Sequence, residues 1–80
     1  MTIYFETTVK GGLPVVAEAE RENGYCYVTG MYWKARKGHK AGKHVPDSIY
    51  VAVTNNAKEL DRLNREAEAE FDDNREYYLN

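Results

Sequence analysis

The chain lacks a second cysteine and any long apolar segment. Because Cys26 has no partner within the chain, an internal disulfide is excluded and a reducing compartment is expected. No apolar run approaches the roughly 20 residues that a membrane span requires. Residues 1–6 also lack the basic segment and apolar stretch that are typical of a signal peptide. We therefore expect a cytoplasmic protein with no membrane partner.

An excess of one charge sign is also absent, since 11 Lys and Arg against 13 Asp and Glu give a formal net charge of −2. Bulk electrostatics therefore does not demand a nucleic-acid partner. The charged fraction of 30% and the hydrophobic fraction of 42% are ordinary for a globular protein. At 80 residues the chain is a single domain, 1–80, with a thin core to which its aromatic residues must contribute.

Period-two alternation of apolar and polar residues predicts three strands, at residues 2–9, 15–22 and 25–34. Gly11 and Gly12 supply the positive φ that a tight turn between the first two strands needs. The Asn23-Gly24 pair is typical of a two-residue type I′ hairpin, so the second and third strands should pair across it. Gly30 lies inside the third strand, where glycine often marks a bulge or the close approach of another backbone.

A fourth strand is predicted after a loop. Residues 34–48 lose all periodicity and collect lysine, glycine and histidine, which indicates a loop. Ile49, Val51 and Val53 then resume the alternation and predict a short strand with its apolar side in the core. The sheet is therefore expected within residues 2–54, and the order of its strands stays open.

The C-terminal part of the chain predicts one amphipathic helix, at residues 56–79. Asn56 followed by Glu59 fits a capping box, in which each side chain satisfies a backbone N–H of the first turn. The fold class is α+β: a four-stranded antiparallel sheet in the order β-β-β-loop-β-α, with one C-terminal helix packed on one face. The expected core consists of Ile3, Phe5, Val28, Ile49, Val51, Val53, Leu60, Leu63, Ala67 and Phe71.

A single helix covers one face of a sheet, so the other face should stay open and carry aromatic side chains. Exposed patches of this kind usually mark an interaction surface. Two other interpretations stay open: aromatic residues favour strands without any partner, or a bulge at Gly30 changes the register. The residues predicted on this aromatic face are Tyr4, Tyr25, Tyr27, Met31, Trp33 and Tyr50.

A basic loop provides a second candidate surface. It could follow a phosphate backbone, with Trp33 stacked on an unpaired base, or it could simply be a solvated loop. It is not a nucleotide-binding P-loop, because three residues instead of four separate Gly38 from Gly42 and His44 replaces the required Ser or Thr. Five of the 11 basic residues lie within ten positions here: Lys34, Arg36, Lys37, Lys40 and Lys43.

Acidic residues offer a third surface. Glu18, Glu20 and Glu22 share one side of the second strand, and acids outnumber bases two to one along the helix. Together they could meet a basic partner and even imitate a phosphate backbone. An ordinary solvated helix face with interspersed ion pairs is the favoured interpretation of the helix.

No catalytic residues, metal ligands or cofactor are expected. No pair of carboxylates lies in an evident pocket, and no local pattern places a base beside Cys26. Metal binding is not indicated either, because there is no Cys-x-x-Cys and His39 and His44 lie in a loop instead of one turn apart on a helix. Cys26 is expected to be a small buried residue.

The layout resembles small phage-encoded accessory proteins of the anti-CRISPR kind. The resemblance covers the whole chain as an arrangement and rests on residues 2–9, the Asn23-Gly24 hairpin and residues 55–80, without a diagnostic motif. It implies inhibition of a host nucleoprotein complex by occluding a surface, in the host cytosol, and it carries over no functional residue. The basic loop departs from the acidic, DNA-imitating members.

The sequence thus predicts a non-enzymatic binding protein that docks on a larger host protein or ribonucleoprotein complex, through the aromatic face, the basic loop or both. Two alternatives stay open. One is a single-stranded nucleic-acid-binding protein that uses residues 34–44. The other is a homo-oligomeric structural component, such as a homodimer, that buries the aromatic face against its own copy.

Overall fold

The computed structural model describes residues 1–34 and 41–79, with side chains described for residues 1–34 and 42–72. In this part of the chain an antiparallel sheet with the strand order β1-β2-β3-β4 is followed by two helices, which confirms the α+β class and the four-stranded sheet. The elements are β1 (Thr2–Val9), β2 (Leu13–Glu22), β3 (Tyr25–Lys34), β4 (Ala41–His44), α1 (Asp47–Thr54) and α2 (Ala57–Leu79).

Residues that tolerate positive φ build the two long hairpins. Asn23 and Gly24 have φ values of 52° and 83°, as a type I′ turn requires, and β2 and β3 pair across them. Gly11 and Gly12 have φ values of 80° and 140° in the turn between β1 and β2. Both predicted hairpins are therefore confirmed.

A β-bulge changes the parity of β3. In the register with β2, Glu18 faces Gly30 whereas the next residue, Ala19, faces Val28. Thr29 is therefore an extra residue without a partner on β2. Side chains after the bulge lie on the opposite face from the one that uninterrupted alternation assigns to them.

The fourth strand lies inside the segment 34–48 that was predicted as a loop. β4 pairs antiparallel with β3, with His44 opposite Tyr32. Val45, which follows, is buried and donates its N–H to a carbonyl of β3 at 3.0 Å. Because glycine and lysine have low strand preference, we attribute β4 to tertiary pairing and the burial of Val45. The sheet ends at His44, short of residue 54.

The predicted strand at Ile49, Val51 and Val53 is wrong, because these residues form α1. Residues four apart share a helix face, so Ile49 and Val53 both contact the core, whereas Val51 is 49% exposed. Asp47 in the first turn is favourable for the helix dipole, and the carbonyl of Pro46 accepts the N–H of Ile49.

The long C-terminal helix is confirmed as α2. Asn56 Oδ1 accepts two backbone N–H groups of the first turn at 3.1 and 3.2 Å, so the asparagine half of the capping box forms. The carboxylate of Glu59 instead binds Arg62. Further along, Asn64 Oδ1 accepts the N–H of Val28 at 3.1 Å, next to the bulge in β3.

Both helices pack on the same face of the sheet. One buried cluster joins α1 and the start of α2 to β1, β2, β3 and Val45, and a second joins α2 to β1 and β2. Of the residues predicted in the core, Val51 is exposed, so that prediction is wrong, and Ile49 and Leu60 are partly buried. The first cluster contains Val9, Val15, Val28, Met31, Val45, Val53 and Leu63; the second contains Ile3, Phe5, Ala17, Ala19, Ala67 and Phe71.

Candidate functional site

The face of the sheet opposite the helices carries mainly tyrosines and glutamates. The strand registers place Tyr4 beside Glu18, and Glu20 beside Tyr27. We call this surface the open face. It comprises Thr2, Tyr4, Glu6, Val16, Glu18, Glu20, Glu22, Tyr25, Tyr27, Thr29, Tyr32, Lys34 and His44.

Half of the predicted aromatic face lies here. The placement of Met31 and Trp33 is wrong, because the bulge turns both toward the helices, where Met31 is 1% exposed and Trp33 packs against the core. The placement of Tyr50 is also wrong, because it lies on α1, half-buried against the same core, where burial raises its pKa. The residues correctly placed are Tyr4, Tyr25 and Tyr27.

Tyr32 is the open-face aromatic that sequence reasoning missed. Its ring centroid lies 6.1 Å from that of Tyr4 and 4.2 Å from that of His44, at tilted angles. These are ordinary distances for favourable ring contacts. Gly30 was the signal in the sequence that could have revealed it. A bulge beside that glycine places Tyr32 on the open face and moves its neighbours Met31 and Trp33 to the face covered by the helices.

Glu18 is the centre of the hydrogen bonding on this face. Its Oε2 accepts the hydroxyl of Tyr4 at 2.9 Å and that of Tyr32 at 3.2 Å, and its Oε1 accepts the hydroxyl of Thr29 at 2.8 Å. Three donors from both neighbouring strands thus hold one carboxylate. A carboxylate offers about four acceptor sites, so a further donor can still be accommodated.

The hydrogen bonds shift the pKa values of this cluster in opposite directions. The Thr29 hydroxyl, followed by those of Tyr4 and Tyr32, holds the pKa of Glu18 below its usual value, against the effect of burial. The hydrogen bond to Glu18 raises the pKa of Tyr4, and burial followed by that hydrogen bond raises the pKa of Tyr32. At neutral pH the cluster is therefore an ionised carboxylate between protonated phenols.

Gly30 leaves room for this arrangement. A Cβ at that position would lie 3.1 Å from Glu18 Oε1 and 3.4 Å from the ring and hydroxyl of Tyr32. The sequence predicted a bulge or the close approach of another backbone at this glycine, and the bulge is present beside it. The close approach is that of a carboxylate side chain and not of a second backbone.

The glutamates of β2 form a row with spacing of about 7 Å, because alternate residues of a strand share a face. Glu20 Oε1 accepts the hydroxyl of Thr2 at 2.8 Å, and Glu22 Oε2 accepts that of Tyr27 at 2.8 Å. The bond to Glu22 raises the pKa of Tyr27. In the described residues, these carboxylates and that of Glu18 bind hydroxyl groups and form no ion pair with a lysine or arginine, and His44 is the cationic group that acts on Glu18.

Two of the five basic residues predicted in the loop lie in the described part of the chain. Lys34 binds Glu6 across the sheet, with Nζ 3.4 Å from Oε1, so its charge is partly compensated. Lys43 lies exposed on β4. Arg36, Lys37 and Lys40 lie outside the described residues.

The described acidic residues of α2 differ from the β2 row because several have cationic neighbours. Glu59 and Glu66 both bind Arg62, and Asp61 binds Arg65 at 3.0 Å. This is the pattern of interspersed ion pairs that was favoured for the helix. In the described residues, the negative charges of the β2 glutamates therefore have fewer ion-pair partners than those of α2.

Other chemistry is sparse in the described residues. They contain no group of three His, Cys, Asp or Glu side chains that could hold a metal ion, and no helix that is both long and apolar enough to cross a membrane. Cys26 is half-buried beneath α2, and burial raises the pKa of its thiol, which disfavours the nucleophilic thiolate.

The open face can therefore accept hydrogen bonds from, and attract, a cationic group, and its tyrosine rings can pack against one. Comparison with known proteins adds no relative: no family model, curated protein or solved structure matches the chain.

Proposed function

We propose that this chain is a non-enzymatic binding protein that docks its open face on a basic surface of a larger protein or ribonucleoprotein complex. The observation that carries the proposal is the β2 glutamate row, whose members bind hydroxyl groups in place of cationic side chains. The layout's resemblance to anti-CRISPR proteins favours inhibition by occlusion as the outcome of docking, in the cytosol of a host cell.

A cationic partner fits this surface for two physical reasons. Three carboxylates about 7 Å apart attract lysine and arginine side chains from a distance. Tyr4, Tyr27 and Tyr32 then offer rings for cation–π contacts and stacking by guanidinium groups. Tyrosine and arginine are also the residue types that most often contribute large shares of binding energy.

Binding of single-stranded nucleic acid is the main rival. The open face disfavours it, since the phosphate backbone would meet the β2 glutamates, and Lys34 already has a carboxylate partner. Trp33 is packed against the core, so it is poorly placed to stack on a base. The rival would depend on the remaining basic residues of the loop alone.

A charge-matched pair of double variants tests the proposal. Glu20→Gln/Glu22→Gln removes two charges from the open face, and Glu68→Gln/Glu70→Gln removes two from α2. The probe is a fluorescein-labelled arginine-rich peptide, with a labelled single-stranded oligonucleotide as the second probe. We expect the first variant to bind the peptide about tenfold more weakly than the wild-type chain, corresponding to about 1.4 kcal/mol, and the second to bind normally.

Equal loss of peptide binding in both double variants would show that net charge alone determines binding and would contradict the proposal. Tighter binding of the oligonucleotide than of the peptide at physiological salt would favour the nucleic-acid alternative. A loss confined to Glu20→Gln/Glu22→Gln, with an unchanged circular dichroism spectrum, locates the contact on the open face.

A further inference from the structure

β1 lies at the edge of the sheet, and within the described part of the chain most backbone groups on its outer side have no hydrogen-bond partner. The Arg21 N–H donates to the Met1 carbonyl at 3.2 Å, so these two residues form a hydrogen-bonded pair. Such pairs alternate with non-hydrogen-bonded ones along an antiparallel ladder. Odd-numbered residues of β1 therefore bind β2, and the backbone groups that point outward belong to Thr2, Tyr4, Glu6 and Thr8.

This edge has few of the features that normally prevent pairing. Natural edges are protected by proline, lysine, bulges or covering segments, and β1 has a continuous register without a bulge or proline. Arg62 donates to the Thr8 carbonyl at 2.6 Å and so covers one end. For Thr2, Tyr4 and Glu6, no hydrogen bond to the outward backbone groups is present within the described residues.

Apolar surface accompanies the free backbone groups. Met1 is 69% exposed and Tyr4 is 55% exposed, two of the four most exposed large apolar side chains among the described residues. An open groove of ≈ 320 Å³ lies at the middle of the strand, lined by Tyr4, Phe5, Glu6, Val16 and Glu70. The edge therefore offers both hydrogen bonds and a place for a side chain.

The sequence of β1 is complementary to itself in the antiparallel direction. With a twofold axis at Tyr4, the two Tyr4 rings meet, and Ile3 lies opposite Phe5 of the second copy. Glu6 then faces a Thr2 hydroxyl, and the ladder ends at Thr7, so the contact between Arg62 and Thr8 is kept. A parallel pairing in register would instead place the two Glu6 carboxylates side by side, which is unfavourable.

We infer that β1 pairs with β1 of a second copy of this chain, forming a dimer with a continuous eight-stranded sheet. The ladder supplies backbone hydrogen bonds from Thr2, Tyr4 and Glu6 of each copy, as in other cases of strand addition at a sheet edge. The open face stays accessible in this dimer, so the inference does not depend on the proposed function.

Glu6→Pro is the main test, because it removes an N–H that points outward and leaves the ladder with β2 complete. Glu6→Gln is the control, since it also loses the ion pair with Lys34 but keeps the N–H. Light scattering after size exclusion, at high micromolar concentration, should give twice the chain mass of 9.2 kDa for the wild-type and Glu6→Gln chains. Glu6→Pro should give the single mass with an unchanged circular dichroism spectrum.

A cross-linking test keeps the inference falsifiable if Glu6→Pro fails to fold. In a Cys26→Ser background, Thr2→Cys chains mixed with Glu6→Cys chains should form a mixed disulfide rapidly, because opposite residues lie within disulfide reach. Thr2→Cys mixed with Thr8→Cys is the control. A single-copy mass for the wild-type chain, or equal cross-linking rates in the two mixtures, would overturn the inference.

Discussion

Glu18 shows how a carboxylate can become part of a folded sheet without an ion pair. Three hydroxyl groups from β1 and β3 converge on it, and the absent side chain of Gly30 gives it space. These bonds are strongest when the acceptor is ionised. The same carboxylate therefore ties three strands together and keeps its charge on the surface that we propose as the binding site.

Glu18→Gln should make stability depend less on pH. The hydroxyl groups lower the folded-state pKa of Glu18, so its contribution is fully present above the ordinary glutamate pKa of about 4.3 and is lost as pH falls through the lowered value. Urea denaturation at neutral pH should show a loss of about 1 kcal/mol in the free energy of unfolding. In acid the two chains should converge.

Glu68→Gln is the matched control for this experiment, since it changes an exposed carboxylate of α2 to the same amide. It should leave the free energy of unfolding within about 0.5 kcal/mol of wild type at both pH values. A difference between Glu18→Gln and wild type that is equally large in acid would contradict the linkage and indicate a packing effect of the amide.

The step from residue to element is clearest in α1, where Val53 is buried as expected but Val51, which was also expected in the core, is exposed. Val53 is 2% exposed and Val51 is 49% exposed. Val53→Ala should lower the free energy of unfolding by about 2 kcal/mol because it removes buried apolar surface. Val51→Ala should change it by less than about 0.5 kcal/mol. Urea denaturation measures both, and equal losses would support a strand in place of α1.

The sequence predicts an element reliably only when enough residues distinguish the helical period of 3.6 from the strand period of 2. Ile49 and Val53 share a face in a strand and in a helix alike, so Val51 alone separates the two, and its β-branched side chain favours the wrong one. The hairpins were predictable because Asn23 and Gly24 meet a backbone requirement that few residues satisfy. The position of β4 could not be predicted in this way, because its pairing with β3 depends on tertiary structure.

The candidate site was predicted only in part, because the sequence does not show where the alternation along β3 is interrupted. Tyr4, Tyr25 and Tyr27 precede the bulge, so simple alternation places them correctly, whereas Met31 and Trp33 follow it. The β2 glutamates were visible as a row in the sequence. The hydroxyl groups that bind these glutamates could not be identified from the sequence, because most of them lie on neighbouring strands whose register only the folded chain defines.

At the scale of the whole molecule, a net charge of −2 understates the field that a partner meets. The β2 row concentrates negative charge on one face, and α2 pairs much of its own. A basic partner would be attracted to this face over a distance comparable to the Debye length, about 8 Å at physiological salt. Association should therefore depend on charge, and the lifetime of the complex on close contacts with tyrosine rings.

Binding kinetics can separate these two contributions. With an immobilised arginine-rich peptide, raising the salt from low to physiological concentration should lower kon several-fold and change koff little, because screening acts on the encounter. Tyr27→Ala should raise koff by about tenfold or more, as expected for an aromatic anchor. Tyr27→Phe, which keeps the ring but loses the hydrogen bond to Glu22, should raise koff less. If salt changed only koff, or Tyr27→Ala left koff unchanged, charge steering and aromatic anchoring would not be the forces that hold the partner on the open face.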